Sequence, residues 1–569
     1  MFRTAHSFPL ILVLALLSCS SPEDYKKDAD DEVAEILENK QLAAFEEAHE
    51  ISIEKDPTSR DVQANAPGPD AEEGPSGEDP VLLKAWDGPT ITLNLRDALY
   101  LATLNSRNYQ TRKEDVYLSA LSLSLERHRW DFIAAAEIDG AYVRRNHEYS
   151  TEGGTGFSIS KALATGGSIG LTIGTDFLRY VSGDPRQSFI SSVSATFSQP
   201  LLRGAGRAVA QEALTQAERN TVYELRDFRR FRQTFAVSVA TSYYRVLQQK
   251  DRLRNEQENY NSLLRATERT RDMADAGRLA EFEVDQAKQD ELKASDRLAR
   301  EIESYNQALD NFKITLSLRT DANIELDEND LVTLVETPLE DVPFAEEEAT
   351  RLAFVKRMDF LNSLDQLDDS RRKVAVAEDG FLPELNLVGG ASFDSEGPNN
   401  LFNVRPRDGT ASLGLEFDPD FDRKEERNTY RQALITVERT RRQLQEDADQ
   451  IRLEIRDSLR TLEQARESFE IQKLSVALAE RRVESTEMLI KAGDATTRDL
   501  LDSQADLLDA RNALTGAVID FNVARQNLLS DVGILEVDDL GMWKWPSKSE
   551  LEELIDRLDE VEEEQEDDQ

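Results

Sequence analysis

Cysteine is almost absent from this chain. The only one in 569 residues is Cys19, which excludes an intrachain disulfide framework and a thiolate metal cluster. Histidine is nearly as scarce: His6 lies in the N-terminal leader, and His49, His128 and His147 stand isolated. No ligand set and no nucleophile–base pairing is visible, so neither enzyme activity nor a metal or cofactor is expected. Basic charge is outweighed, with 68 Lys and Arg against 111 Asp and Glu for a net charge of −43. That balance excludes nucleic acid as a partner, because neutralising phosphates takes a basic surface. The acidity reads either as solubility or as a lumen or mouth that favours cations. Long apolar runs are missing too, and no segment after the leader supplies the roughly 20 apolar residues of a membrane-spanning helix. Whatever crosses a membrane here must be a closed β-structure.

What is present begins with a targeting pattern. Arg3 supplies a positive start, Phe8 to Leu17 an apolar run, and Leu16-Leu17-Ser18-Cys19 resembles the lipobox of bacterial lipoproteins. Residues 1–18 are therefore expected to be a lipoprotein signal peptide and Cys19 the lipidated residue. The residue after it, Ser20, is not the Asp that resembles an inner-membrane retention signal. Residues 19–90 are acidic and punctuated by Pro67, Gly68, Pro69, Gly74, Pro75, Gly77 and Pro80, the composition of a flexible tether. Within it Asp31 to Glu54 has the pattern of one amphipathic helix, with Val33, Ile36, Leu37 and Leu42 on a face. Residues 536–569 read as an acidic, solvated tail.

The body between is duplicated. Ala276-Gly277 is followed by Glu283 after six residues, and Ala492-Gly493 by Asp499 after six and Asp502 after nine. Gln211-Glu212-Ala213-Leu214 matches Arg431-Gln432-Ala433-Leu434, and Ala217-Glu218-Arg219 matches Val437-Glu438-Arg439. Ala98 to Ala102 has its counterpart in Ala349 to Ala353. Two tandem repeats result, 91–335 and 336–535, each reading as helix, strands, very long helix, Gly-marked break, helix.

The long helices run from about Arg207 to Ala276 and Arg423 to Ala492 without internal Pro or Gly. Each would extend roughly 100 Å at 1.5 Å per residue. Phe228, Phe231, Phe235, Val239, Tyr243 and Val246 form the apolar stripe of the first, at coiled-coil spacing. Ile451, Ile455, Leu459, Leu462, Ala465 and Phe469 form that of the second. Each Ala-Gly break reads as a hairpin tip, after which helices return to about Leu318 and Val532. Shorter helices, about Leu95–Trp130 and Ala345–Glu378, precede the strand regions and complete the return path.

Those regions alternate with period two. Phe189, Val193, Ala195 and Phe197 fall on one face and Ser192, Ser194, Thr196 and Ser198 on the other; Ala411, Leu413, Leu415 and Phe417 alternate likewise. Apolar-out, polar-in strands suit a water-filled membrane barrel. Each repeat offers at least two strands, near Ala134–His147 and Phe189–Ser198, then Leu385–Phe393 and Ala411–Phe417. Four strands cannot enclose a channel, so several chains must share one barrel. Thr155 to Lys161 and Ser168 to Thr175 also alternate, and their pattern fits two further strands, a lengthened surface loop or a separate hairpin.

From Ile91 to Leu535 the chain resembles the TolC-like outer membrane efflux proteins. The resemblance rests on the duplication, the two tips, Ser198-Gln199-Pro200-Leu201-Leu202, Phe381-Leu382-Pro383-Glu384-Leu385 and Leu95-Arg96-Asp97-Ala98-Leu99. It implies a mainly α fold with a β-barrel part: a long antiparallel coiled-coil helical barrel in the periplasm plus a 12-stranded transmembrane β-barrel, shared by a homotrimer. It implies a passive outer-membrane conduit, held in outer-membrane lipid, docked onto a periplasmic adaptor that belongs to an inner-membrane transporter. Ala276, Gly277, Arg278 and Leu279, with Ala492, Gly493 and Asp494, would be the docking tips. Asp499, Asp502 and Glu283 would line the constriction, where like-charge repulsion raises carboxylate pKa values. The family's closing tyrosine and arginine are replaced by Ile490 and Ala495, with Arg498 nearby. Two alternatives accompany this reading: a conduit for type I protein secretion, and a non-conducting coiled-coil spacer lipoprotein of the envelope.

Overall fold

A computed structural model describes residues 21–54, 90–145, 148–182, 187–336, 344–395, 409–492, 494–546, 550, 551 and 553. Cys19, His6, His147, Gly493, most of the expected tether and most of the acidic tail lie outside the described residues. The chain divides into two compact units, one of Met1–Ser52, Glu114–Leu225 and Asn362–Gln445, the other of Ile53–Lys113, Arg226–Leu361 and Glu446–Gln569.

Helix α1 spans Pro22–Phe45, beginning nine residues before the expected Asp31. Ser21 caps it in a reciprocal box with Asp24, and Pro22 occupies the first turn, where its missing N–H costs nothing. Val33, Ile36 and Leu37 are buried as their spacing predicts, but Leu42 is exposed, and the helix ends at a left-handed Glu46. Asp30 accepts a hydrogen bond from the Tyr117 hydroxyl. Burial, then that bond, pushes Tyr117 up to about 12.

In the first repeat β1 (Ile91–Leu93) leads into α2 (Leu95–Asn105) and α3 (Arg107–His128), then β2 (Ile133–Arg145), β3 (Glu148–Ala162), β4 (Ser168–Tyr180) and β5 (Gln187–Pro200). A short α4 (Arg207–Ala210) precedes α5 (Glu212–Asp275), and α6 (Glu281–Thr315) returns. After β6 (Ile324–Leu326) and α7 (Asn329–Glu336), the second repeat runs through α8 (Glu346–Lys356), α9 (Met358–Asp379), β7 (Glu384–Asp394), β8 (Thr410–Asp418), α10 (Lys424–Ala492) and α11 (Thr497–Val532). The repeats agree in detail: an 11-residue helix followed by a 22-residue helix, broken at one residue, precedes the strands in both.

The sequence pattern leaves each of those pairs as one helix, since neither Pro nor Gly marks the break. At Ser106 the backbone turns extended, and its hydroxyl accepts the Tyr109 N–H at 3.3 Å, capping the next helix. At Arg357 the backbone is also extended, and the guanidinium is held by Asp359 at 2.9 Å and Glu454 at 2.6 Å. The first break is thus marked by a local cap, and the second is held in part by a distant partner, Glu454.

The long helices meet their expected bounds closely, at 64 and 69 residues. In the first, Phe228, Val239, Tyr243 and Val246 are buried, and in the second Ile451, Ile455, Ala465 and Phe469. Beside them β1 and β6 pair in parallel, a two-stranded sheet too short for a periodic signal. The fully buried Tyr243 donates to the Leu93 carbonyl at 3.2 Å and to Asp330 at 2.6 Å, tying β1 and α7 to α5.

Within the first unit, Asp369 of α9 gathers four donors from α5 and α9. They are Tyr223 at 2.8 Å, Arg219 at 2.8 Å, Gln216 at 3.0 Å and Arg372 at 2.9 Å. Burial alone would raise this carboxyl, but the hydrogen bonds from Tyr223, Gln216 and Arg372 and the charge of Arg219 hold it below the usual range.

Candidate channel wall and hairpin tips

The six larger strands form one antiparallel sheet in the order β2-β3-β4-β5-β7-β8. The two alternating segments of uncertain role are therefore β3 and β4, inserted between β2 and β5. Residues facing each other across an antiparallel ladder share a face. Ala134, Ile159, Leu171, Ala195, Ala391 and Ala411 make one row across all six strands. Ala136, Phe157, Ile173, Val193 and Phe393 make the next. The neighbouring row on the opposite face is Ala135, Ser158, Thr172, Ser194, Ser392 and Thr410. Along these rows one face is apolar and exposed, with Phe157, Ile173, Leu413 and Phe417 lying open, while the next row on that face, Ile138, Thr155, Thr175 and Ser191, is largely polar. By the same register Glu137, Asp139, Glu152, Asp176, Asp394 and Glu416 belong to the polar face. Sequence reasoning did not single out these acids, although the period-two alternation would have placed them.

Among the described residues neither β2 nor β8 has a partner on its outer side. An open, apolar-faced edge of this kind invites another strand.

The tips are built by helix termination. Gly277 adopts a left-handed φ of 72°, its N–H bonds to the Ala274 carbonyl at 2.8 Å, and the Arg278 N–H reaches the Met273 carbonyl at 2.8 Å. This pair of bonds is the Schellman closure. Open space surrounds the position, so glycine is needed there for backbone conformation alone. At the second tip Asp494 N–H reaches the Leu489 carbonyl at 2.9 Å, the equivalent six-residue bond. Ala276, Arg278, Ala492 and Asp494 are exposed and Leu279 is half-buried. Phe282, Met488 and Leu489 next to the tips are exposed as well. Sequence reasoning missed these three, which sit off the buried seam of their helices.

Asp499 caps α11. Its carboxylate accepts the Thr496 N–H at 2.8 Å and hydroxyl at 2.7 Å, and its own N–H returns to that hydroxyl at 3.3 Å. Those bonds, with the hydroxyl's first, hold its pKa below the usual carboxylate range in the single chain. The rise expected of a ring needs neighbouring copies. Asp502 lies one turn on, exposed, with Arg498 of the same helix at 3.9 Å. Glu283 is half-buried in the first turn of α6. Among the described residues no group of His, Cys, Asp or Glu is placed to hold a metal ion. No helix there is long and apolar enough to cross a membrane.

Each hairpin is knit along its length. Thr267 donates to the Ala287 carbonyl at 3.2 Å and Arg297 to Glu256 at 2.9 Å between α5 and α6. Arg482 pairs with Asp506, and Ala465 packs on Phe521 and Ala524, between α10 and α11. Thr515 of α11 reaches the buried Asp251 of α5 at 2.6 Å, bringing the hairpins side by side.

The model of the outer membrane efflux protein family matches residues 350–533. Outer membrane protein TolC of Escherichia coli K12 is 22% identical over 386 residues, 65% of this chain and 75% of that protein. Over residues 350–533 the chain resembles the outer membrane efflux proteins. A second relative is the alkaline protease secretion protein AprF of Pseudomonas aeruginosa, 25% identical over 190 residues, 33% of this chain and 39% of AprF. Among solved structures the CmeC outer membrane channel of Campylobacter jejuni superposes with a TM-score of 0.55 at 16% identity, covering 86% of this chain and 98% of CmeC. That likeness shows the fold: mostly helical, with a sheet portion, as in the family's channels.

Proposed function

We propose that this protein is the outer-membrane conduit of a tripartite export system, a homotrimer that docks by its hairpin tips onto a periplasmic adaptor served by an inner-membrane transporter. The carrying observation is the sheet, with a band of apolar rows on one face, a mostly polar and acidic opposite face, and, among the described residues, both edges unpaired. One chain's strands are too few to enclose water, and copies joined β8 to β2 remove the edges. The helices support assembly: Ile471, Leu474 and Leu478 of α10 form an exposed apolar stripe at helical spacing that a neighbouring copy would cover. The lipid anchor at Cys19 and the signal peptide 1–18 belong to the same reading, holding the chain in the outer membrane.

In that assembly three copies of Asp499 and Asp502, with Glu283 nearby, form the constriction, and Ala276, Gly277, Arg278, Leu279, Ala492, Gly493 and Asp494 are the adaptor contacts. With Ile490 and Ala495 at the family's closing positions, Arg498, 3.9 Å from Asp502 on its own helix, takes the place of the missing arginine. The similarity to a protease secretion protein supports a second reading, a conduit for exported protein instead of small molecules.

Single-channel recording in planar bilayers tests the proposal. The full chain should conduct and prefer cations, and Asp499→Ala with Asp502→Ala should lower that preference and relieve block by divalent cations. Absence of conductance would favour an envelope spacer; unchanged selectivity in the variant would place the constriction elsewhere.

A further inference from the structure

Resting on the trimeric conduit reading, we infer that each protomer builds six strands of barrel wall instead of four, so that the barrel closes with eighteen strands. Four observations carry this. First, β3 and β4 stand inside the ladder: β3 pairs with β2 along 13 residues, β4 with β3 along 13, and β5 with β4 along 12. They are neither a surface loop nor a hairpin beside the sheet. Second, the inserted pair keeps the wall's polarity. Phe157, Ile159, Ile169, Leu171, Ile173 and Phe177 fall on the same face as Phe197, Val193 and Leu413, so the apolar band that would meet lipid continues across the inserted strands.

Third, the count permits closure. Among the described residues the sheet has six strands, each antiparallel to its neighbours. An even number leaves β8 antiparallel to the next copy's β2. Inserting two strands changes neither direction nor facing, which is why this hairpin can widen the wall without disturbing the rest.

Fourth, the inserted hairpin is fixed to the wall's inner end. Four strands run on into helices, whereas β3 and β4 are joined to each other by the turn 163–167. That turn seats on the β5-to-α4 junction. Thr165 donates to the Gln199 side chain at 2.6 Å, the Gln199 amide returns to the Thr165 carbonyl at 3.0 Å, and the Gly206 N–H reaches the same carbonyl at 3.1 Å. Gly166, at a φ of 91°, lies so close that an added Cβ would meet the Gly204 carbonyl oxygen at 2.3 Å. The hairpin is a designed part of the wall, matched by the sequence it rests on.

Barrel diameter grows roughly in proportion to strand number, so eighteen strands give a bore ~1.5-fold wider than twelve. The barrel is then wide relative to a tunnel fed by four strand-to-helix junctions per chain, and size selection falls to the helical end.

Cryo-electron microscopy of the full chain in lipid nanodiscs decides this by counting copies and strands in one map. The expected result is three copies around eighteen strands. Three copies around twelve strands, with β3 and β4 folded against the wall, overturn the inference and leave the conduit reading standing. Any other copy number overturns both. A variant with residues 146–186 replaced by a two-residue turn should pair β2 directly with β5 and close twelve strands. Eighteen strands in that variant would be incompatible with the assignment of β3 and β4 to the wall.

Discussion

Replacing Asp369 with Ala removes the acceptor on which α5 and α9 converge. The side chain is 5% exposed and takes hydrogen bonds from Tyr223, Arg219, Gln216 and Arg372. Bonds to a charged group contribute about 1.5–3 kcal/mol each where both partners are buried. Here Arg219 is 34% and Arg372 24% exposed, and each keeps another partner, Asp365 at 3.8 Å and Glu212 at 2.6 Å. Their share therefore shrinks, and the stranded Tyr223 hydroxyl dominates. The total is about 3 kcal/mol. Asp369→Asn keeps the shape and some bonds and should cost about half as much. The pH dependence has a definite sign. The folded-state pKa is lowered, so the stabilisation is fully present above the ordinary carboxylate value near 4 and is lost as pH falls through the lowered one. Thermal melts of the detergent-solubilised protein, followed by circular dichroism from pH 7 to pH 3, check both parts. The wild-type advantage over Asp369→Asn should narrow below about pH 4. A loss under about 1 kcal/mol for Asp369→Ala at pH 7, or an advantage that grows with acid, would refute the reasoning.

Two further outcomes follow from local chemistry. Gly277→Ala places a side chain at a φ of 72° without a clash, so it should cost about 1 kcal/mol of conformational strain. Amide exchange around residues 274–281 should accelerate about fivefold with the global melt unchanged, and unaltered exchange would mean the tip closes some other way. Cys19→Ala should abolish incorporation of radiolabelled fatty acid; persistent labelling would rule out that cysteine as the anchor.

Much of this architecture is legible in the sequence because it repeats with a short period. The long helices α5 and α10 announce themselves by charge density, apolar stripes and a lack of Pro and Gly. The tips are marked by glycine, the residue type that adopts a left-handed turn at least cost. The strands are visible through period two, and strict alternation even places Phe189, Val193 and Phe197 on their correct face. The Asp499 capping box is also written locally, as Thr496 three residues before Asp499.

Three things were decided only in three dimensions. The kink at Arg357 is held in part by Glu454, far along the chain, so no local pattern records it in full. The pairing of β1 with β6 joins segments more than 200 residues apart and three residues long, too short for periodicity to register. The place of β3 and β4 was open because alternation fixes which way a side chain faces but not which strand lies alongside. That choice belongs to backbone hydrogen bonds between distant segments, and to the seat that Gly204 and Gln199 provide for the turn at Gly166. Periodicity thus determined the elements and their faces, while the long-range ladder alone determined how many of them form the wall.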